Sequence, residues 1–171
     1  TPREEGLEWS GGVNLISHLG LLPSPALGGE LSLGLARQSL SLALLAGGSP
    51  WAPSDTSKPY VLEREAHVGL RSCWAFDDSL VEASLCAVGK AHLLWATGKG
   101  LVESRTARST LATYGLGPRI AWLIMPRWRA FAEADVMSPS RRPRAVAASG
   151  ETLYEAAWVT AAISAGVVYR W

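Results

Sequence analysis

Three histidines, His18, His67 and His92, are the residues of this sequence whose chemistry could bind a metal ion or move a proton. A metal site would need three or four such ligands to converge, with Asp135 a further candidate. A hydrolase would instead need a histidine base next to a nucleophile such as Ser17. No enzyme motif surrounds any of these residues. We therefore expect hydrogen-bonded polar side chains here, and predict no catalytic residue, no metal ligand and no cofactor.

Two cysteines, Cys73 and Cys86, could form one disulfide or remain two buried free thiols. They fall on neighbouring predicted strands that are joined by a tight turn. The antiparallel register that places the cysteines opposite each other also pairs His67 with His92. We predict a structural disulfide between Cys73 and Cys86.

The composition differs from that of an ordinary soluble domain. The chain has 171 residues, of which 48% are hydrophobic and only 18% charged, against roughly 25% charged in a typical soluble domain. A net charge of +1 gives no reason to expect a nucleic-acid partner. The charge-free stretches 9–29 and 38–54 contain several prolines and glycines, which argues against a membrane-spanning helix.

The organisation expected is one domain over residues 1–171 with a polar N-terminal lead, residues 1–6, in a chain that either has already been processed or has been cut from a longer precursor. Alternation of apolar and polar residues predicts eight strands, at roughly 7–19, 27–36, 39–47, 67–76, 80–96, 110–125, 127–137 and 155–171. Very short connections, near 37–38, 77–79 and 126, alternate with longer ones. This is typical of an up-and-down barrel with both termini at the short-turn end.

The two faces of the predicted strands differ sharply in charge. One face carries no charged residue, and every charge inside the strands falls on the other. A soluble barrel would enclose its apolar face, but here no second apolar layer exists to cover it. The apolar face must then meet lipid, where only a closed barrel satisfies all backbone groups. The predicted fold is an all-β, eight-stranded antiparallel up-and-down transmembrane β-barrel.

Eight strands leave a lumen just wide enough for side chains to fill. The inward charges nearly balance, so we predict ion pairs that plug the lumen, with a narrow channel as the alternative. This lumen charge network comprises Glu8, Glu30, Arg71, Glu82, Lys90, Arg119, Arg127, Arg129, Glu133, Asp135 and Arg170.

Aromatic residues on the apolar face gather near the two ends of the predicted strands. Such girdles mark the membrane–water boundaries, where an amphipathic ring is most stable. The predicted girdle residues are Trp9, Trp74, Phe76, Trp95, Tyr114, Trp122, Trp128, Tyr169 and Trp171.

The last eight residues, SAGVVYRW, resemble the C-terminal assembly signal of bacterial outer-membrane barrels, with Ser164, Gly166, Tyr169 and Trp171 at the matching places. With the strand count, the chain resembles the small OmpA/OmpX-like barrels in architecture. The resemblance implies an outer-membrane location, recognition by the barrel-assembly machinery, periplasmic termini and extracellular longer loops. An oxidising periplasm would also suit the disulfide.

The function expected from this resemblance is that of a non-enzymatic structural or anchoring module, alone or within a larger envelope complex. A lipid-modifying outer-membrane enzyme with a histidine-bearing rim is the alternative, besides the channel. Cations in the longer loops could contact the phosphates of lipopolysaccharide; these are Arg105, Arg108, Arg141, Arg142 and Arg144.

Overall fold

The computed structural model describes residues 6–22, 25–53, 61–76, 80–98, 106–146 and 152–171. Its strands are β1 (Glu8–Leu19), β2 (Ala26–Arg37), β3 (Leu40–Pro53), β4 (Val61–Ala75), β5 (Val81–Gly98), β6 (Thr106–Met125), β7 (Trp128–Pro139), β8 (Arg144–Val146), β9 (Thr152–Glu155) and β10 (Thr160–Arg170). Eight of them form a closed barrel in the order β1-β10-β7-β6-β5-β4-β3-β2, every neighbouring pair antiparallel. The predicted fold is confirmed. None of the described residues forms a helix that is long and apolar enough to cross a membrane.

Two tight turns define one end of the barrel, called here the turn end; the opposite end is the loop end. Gln38 and Ser39 join β2 to β3, and Pro126 and Arg127 join β6 to β7. Gln38 and Arg127 have positive φ angles of 54° and 71°, as the central positions of such turns require. Arg127 therefore leaves the strand alternation.

The predicted place of Arg127 in the lumen is consequently wrong. Its side chain is exposed, and Nη1 donates to the Tyr169 hydroxyl at 3.5 Å. The other departures concern strand ends. β4 begins at Val61 rather than at residue 67, and β6 begins at Thr106 rather than at residue 110. The last barrel strand begins at Thr160 rather than at residue 155, and Glu155 instead ends a separate hairpin, β8-β9.

The faces of the barrel have the polarity expected from the sequence. Large apolar side chains cover its outside, among them Leu31, Leu44 and Val68, which are 60–65% exposed. The lumen instead alternates apolar and polar layers. Its apolar clusters are Leu21, Leu22, Ala26, Leu94 and Leu111 near the loop end, Ala121, Phe131 and Val168 near the turn end, and Ile16, Leu45, Val88, Met137 and Ala162 between them.

Candidate functional site

Arg71 is the centre of the charged layer in the middle of the lumen. Its Nη2 lies 2.6 Å from Glu133 Oε1 and 3.3 Å from Asp135 Oδ2, and its Nη1 lies 3.8 Å from Glu30 Oε1. Lys90 contacts the other oxygen of Glu30 through its ammonium group. All five residues are at most 5% exposed. The structure thus brings five predicted network residues into one cross-linked layer.

A second charged group lies nearer the turn end. Glu82 forms ion pairs with two arginines: its Oε2 lies 3.3 Å from Arg129 Nη1 and 3.0 Å from Arg170 Nη2. Arg119 stacks its guanidinium 4.0 Å above the Phe131 ring, and its Nη1 is 3.9 Å from Glu133 Oε2. Glu8 is exposed at this mouth, where it lines a small cleft with Arg129 and Arg170.

The two cysteines are joined. Cys73 and Cys86 lie directly opposite each other on β4 and β5 and form the predicted disulfide. Both are buried in the lumen, at 6% and 1% exposure. Their role in the barrel is to cross-link adjacent strands.

The histidines form a buried layer towards the loop end, above Glu30. His67 and His92 pair across β4 and β5, and the Nδ1 atom of each lies 2.7 Å from the same oxygen of Glu65. The far nitrogens also have partners: Nε2 of His67 is 2.8 Å from Glu30, and Nε2 of His92 is 2.8 Å from Thr113 Oγ1. Both rings are fully enclosed and not part of a solvated rim.

His18 completes this layer from β1. Its ring centre is 5.7 Å from that of His67 and 5.9 Å from that of His92, which are 5.6 Å from each other. His18 is 0% exposed. Within the described residues, neither of its ring nitrogens has a hydrogen-bond partner, nor does Glu65 Oε2. His18 therefore departs from the hydrogen-bonded state expected from the sequence.

Sequence reasoning missed or misplaced four residues in relation to this layer. Glu65 and Thr113 were not predicted as site residues, although both share the inward parity of their strands. Glu65 precedes the predicted start of β4, so its alternation with His67 was not counted. Ser17, the suggested nucleophile, is on the outward parity of β1, opposite His18. Asp135 lies with Arg71 and away from the imidazoles.

An apolar plug covers the histidine layer. Leu21 and Leu22, from the connection after β1, are 0% and 2% exposed and pack with Ala26, Leu94 and Leu111. Buried charges below and apolar side chains above thus enclose the imidazoles.

The predicted girdle residues occupy the outer face at the two barrel ends. At the turn end, Tyr169 stacks on Trp171 with ring centres 5.8 Å apart, and the Trp128 ring lies 5.1 Å from that of Tyr169 at a tilt of 59°. Trp9, Trp74, Phe76 and Trp122 also lie towards this end and are 39–70% exposed. Trp95 and Tyr114 lie towards the loop end. Trp158, 66% exposed, was not predicted; Arg142 stacks 5.0 Å from its ring.

Basic residues lie side by side on the outer surface at the loop end. The register aligns Arg64, Trp95 and Arg108 across β4, β5 and β6. Arg141 donates to the Thr110 backbone oxygen just below this row. Of the other predicted lipopolysaccharide contacts, Arg142 pairs with Glu155 at 3.1 Å and Arg144 begins β8. Arg105 lies outside the described residues.

The proposed assembly-signal residues also have structural positions in β10. Ser164 points inward and donates its hydroxyl to Glu133 at 2.6 Å. Gly166 faces β1 so closely that an added Cβ would lie 2.3 Å from the Val13 carbonyl oxygen. Closure of β10 onto β1 therefore requires a glycine here.

Comparison with known proteins gives similarity in structure alone. No family model and no curated protein matches the sequence. Several solved structures superpose over nearly all of the chain. Neisserial surface protein A has a TM-score of 0.64 at 13% identity, covering 95% of this chain and 96% of that one. A major outer-membrane protein of Thermus thermophilus has a TM-score of 0.64 at 14% sequence identity, covering 94% of this chain and 99% of that one. The attachment invasion locus protein Ail of Yersinia pestis has a TM-score of 0.58 at 11% sequence identity, covering 98% of this chain and 100% of that one. The chain therefore has the fold of the small eight-stranded outer-membrane β-barrels.

Proposed function

We propose that this chain is a non-enzymatic structural or anchoring barrel of the bacterial outer membrane, with a lumen closed by side chains. The observation that carries the proposal is the combination of an apolar outer face with ion pairs that cross the lumen. Arg71, for example, reaches from β4 to Glu133 on β7. In this orientation the turn end faces the periplasm and the loop end the exterior. Ser164, Gly166, Tyr169 and Trp171 serve recognition by the assembly machinery.

Two measurements test the barrel and its closed lumen. In detergent, the folded chain should migrate differently on gels before and after heating, as a closed barrel does. In planar bilayers, the wild type should give no stepwise conductance, because Arg71, Lys90 and their carboxylate partners fill the lumen. Reproducible unitary currents from the purified wild type would instead establish the channel alternative.

The enzyme alternative has one specific observation in its favour. Thr113 Oγ1, His92 and Glu65 follow one another at 2.8 and 2.7 Å, in the order of a nucleophile, a base and an orienting carboxylate. However, Thr113 is 2% exposed, lies beside Leu111 of the apolar plug, and directs its hydroxyl towards Met137 Sδ. Lipid substrate would have to displace the plug. Deacylation of lipid A by the wild type, lost in Thr113→Val, would refute the non-enzymatic role.

The loop-end outer surface supports lipopolysaccharide as the lipid partner. A groove of about 710 Å³ runs over β4, β5 and β6, where Ala66, Ala91 and Ala112 leave space between larger neighbours. Arg141 borders the groove, and Arg64 and Arg108 lie one outward position further from the membrane centre. The small side chains fit an acyl chain, and the guanidinium groups fit the phosphates above it.

This lipid contact is tested with a paired variant and a matched control. Arg108→Gln with Arg141→Gln should weaken binding of phosphorylated lipid A at least tenfold in detergent titrations. Arg37→Gln removes an exposed arginine at the turn end and should bind as the wild type does. Dephosphorylated lipid A should not distinguish the three proteins. Equal affinity of all three proteins for the phosphorylated lipid would exclude this site.

A further inference from the structure

We infer that His18, Glu65, His67 and His92 form a binding site for one divalent transition-metal ion in the lumen, with Zn²⁺ as the representative ion. The inference goes beyond the structural role proposed above and does not depend on it. It rests on the spacing of the rings, on the buried atoms of His18 and Glu65 that have no hydrogen-bond partner, and on the hydrogen bonds that hold the other two rings from behind.

The ring spacing is close to that of a zinc site. Zinc–nitrogen bonds of about 2.0–2.1 Å place the centres of three imidazoles that share one ion roughly 5–5.5 Å apart. The three rings here are 5.6–5.9 Å apart. Ligand atoms of His18, Glu65 and His67 already lie within 4.8 Å of one another. Tetrahedral bonds of about 2.0–2.1 Å separate neighbouring ligand atoms by roughly 3.3 Å, so metal binding would close the wider of these separations and open the 2.7 Å contacts of Glu65 with His67 and His92.

The hydrogen bonds around His67 and His92 favour a cation between them. Nε2 of His67 faces a Glu30 oxygen, which only accepts. Nε2 of His92 faces Thr113, whose hydroxyl hydrogen goes to Met137. The Nδ1 atoms of both rings lie on the other side, each 2.7 Å from one oxygen of Glu65. The two Nδ1 atoms thus converge on one carboxylate oxygen between rings whose centres are 5.6 Å apart, as the ligands of a shared ion would.

A bound dication would lie between the Nδ1 atoms of His67 and His92 and the carboxylate of Glu65. The Nδ1 lone pairs of His67 and His92 then bind the ion, and Glu30 and Thr113 remain as the partners that orient the rings. A carboxylate or hydroxyl behind a ligating histidine is the usual outer shell of such sites. Imidazole and carboxylate together are a ligand set that suits zinc and its transition-metal neighbours better than Mg²⁺ or Ca²⁺.

His18 supplies the independent observation. It is 0% exposed, and within the described part of the chain neither ring nitrogen makes a hydrogen bond. A buried imidazole without a partner is unfavourable, whereas an ion at the centre of the layer would give it one. The free oxygen of Glu65, Oε2, gains a partner in the same way.

The experiment measures metal directly in the full chain. Tag-free protein is refolded in detergent with Zn²⁺, exchanged into metal-free buffer and analysed by mass spectrometry of the elements. We expect about one zinc per wild-type chain, reduced at least tenfold in His18→Phe and in Glu65→Gln. Glu82→Gln removes a lumen carboxylate at the turn end and should retain zinc. Heat-modifiable mobility on gels verifies that each variant is folded.

A second readout keeps the inference testable even where a variant does not fold. Co²⁺ added in place of Zn²⁺ should give the intense visible absorption of a four-coordinate nitrogen and oxygen site in the wild type. Wild-type protein that retains no more zinc than His18→Phe, or whose Co²⁺ spectrum equals that of the ion in buffer, would overturn the assignment. Equal loss of zinc in Glu82→Gln would likewise place the metal elsewhere.

Discussion

Arg71 on β4 reaches Glu133 on β7 across the lumen, with Nη2 2.6 Å from Oε1. Two strands, β5 and β6, separate these partners in the sheet, so the contact spans the interior. Both side chains are 2% exposed. Each charge therefore depends on its partner for stabilisation, since water does not reach it.

Removal of the Arg71 cation should destabilise the barrel strongly. Arg71→Met leaves Glu133 and Asp135 buried beside each other without their shared partner, and we expect a loss of about 3–5 kcal/mol. Arg37→Met, at an exposed position of β2, should change stability by about 0.5 kcal/mol or less. Urea unfolding in lipid vesicles measures both. Similar small effects of the two substitutions would contradict a cross-lumen role.

Strand closure should be sensitive to a single methyl group at Gly166. Gly166→Ala directs its Cβ to within 2.3 Å of the Val13 carbonyl oxygen and 2.5 Å of Asn14 Cβ. We expect a loss of about 1–3 kcal/mol or failure to close, visible as a smaller heat-resistant fraction on gels. Gly89→Ala is the control, because its Cβ would meet nothing within 4 Å. A folded fraction unchanged in both variants would refute the close approach.

The disulfide should stabilise the barrel through the loop it closes. Cys73 and Cys86 are 13 residues apart. Closing a loop of this size lowers the conformational entropy of the unfolded chain and so stabilises the folded barrel by about 3 kcal/mol. Replacement of both by alanine should lower the urea midpoint in vesicles. A reductant present throughout refolding should do the same to the wild type and nothing to the double variant. Identical wild-type midpoints with and without reductant would show that the bond adds no stability.

The free-energy cost of a charged residue on the outer face should increase with its depth in the bilayer. Leu44 is 60% exposed on the outside of β3, several residues from the turn. Leu44→Arg should cost about 2–4 kcal/mol near the bilayer centre, whereas Leu7→Arg, one residue before β1, should cost about 0–1 kcal/mol. Unfolding free energies in vesicles provide the comparison. Equal costs at the two positions would mean that Leu44 does not face lipid.

Most of the fold followed from strand parity because a lipid-facing surface tolerates no charge. Glu30, Arg71 and Glu133 could be assigned to one face from sequence alone, and the structure has them in the lumen. Arg127 could not, because a positive φ angle in the turn breaks the alternation on which the assignment depended. The β8-β9 hairpin was missed because it lies outside the barrel sheet and has no two-faced pattern to detect.

The histidine layer shows where sequence reasoning ends. Parity placed His18, His67 and His92 on the inside, and a register argument paired two of them. Their convergence with Glu65 depends on barrel curvature, which brings β1 close to β4 and β5 across the lumen. Local pattern does not encode that distance, nor does it show that Leu21 and Leu22 fold inward to cover the layer.

The ion pairs of the lumen join residues that are distant in the chain, such as Glu82 and Arg170, which are 88 positions apart. None of these cross-lumen bonds can form before the sheet has curled shut. A strand that slipped by one residue would expose its charges to hydrocarbon and leave the opposing partners stranded. The interior therefore favours one strand alignment over its neighbours, because only the correct register brings the opposite charges together.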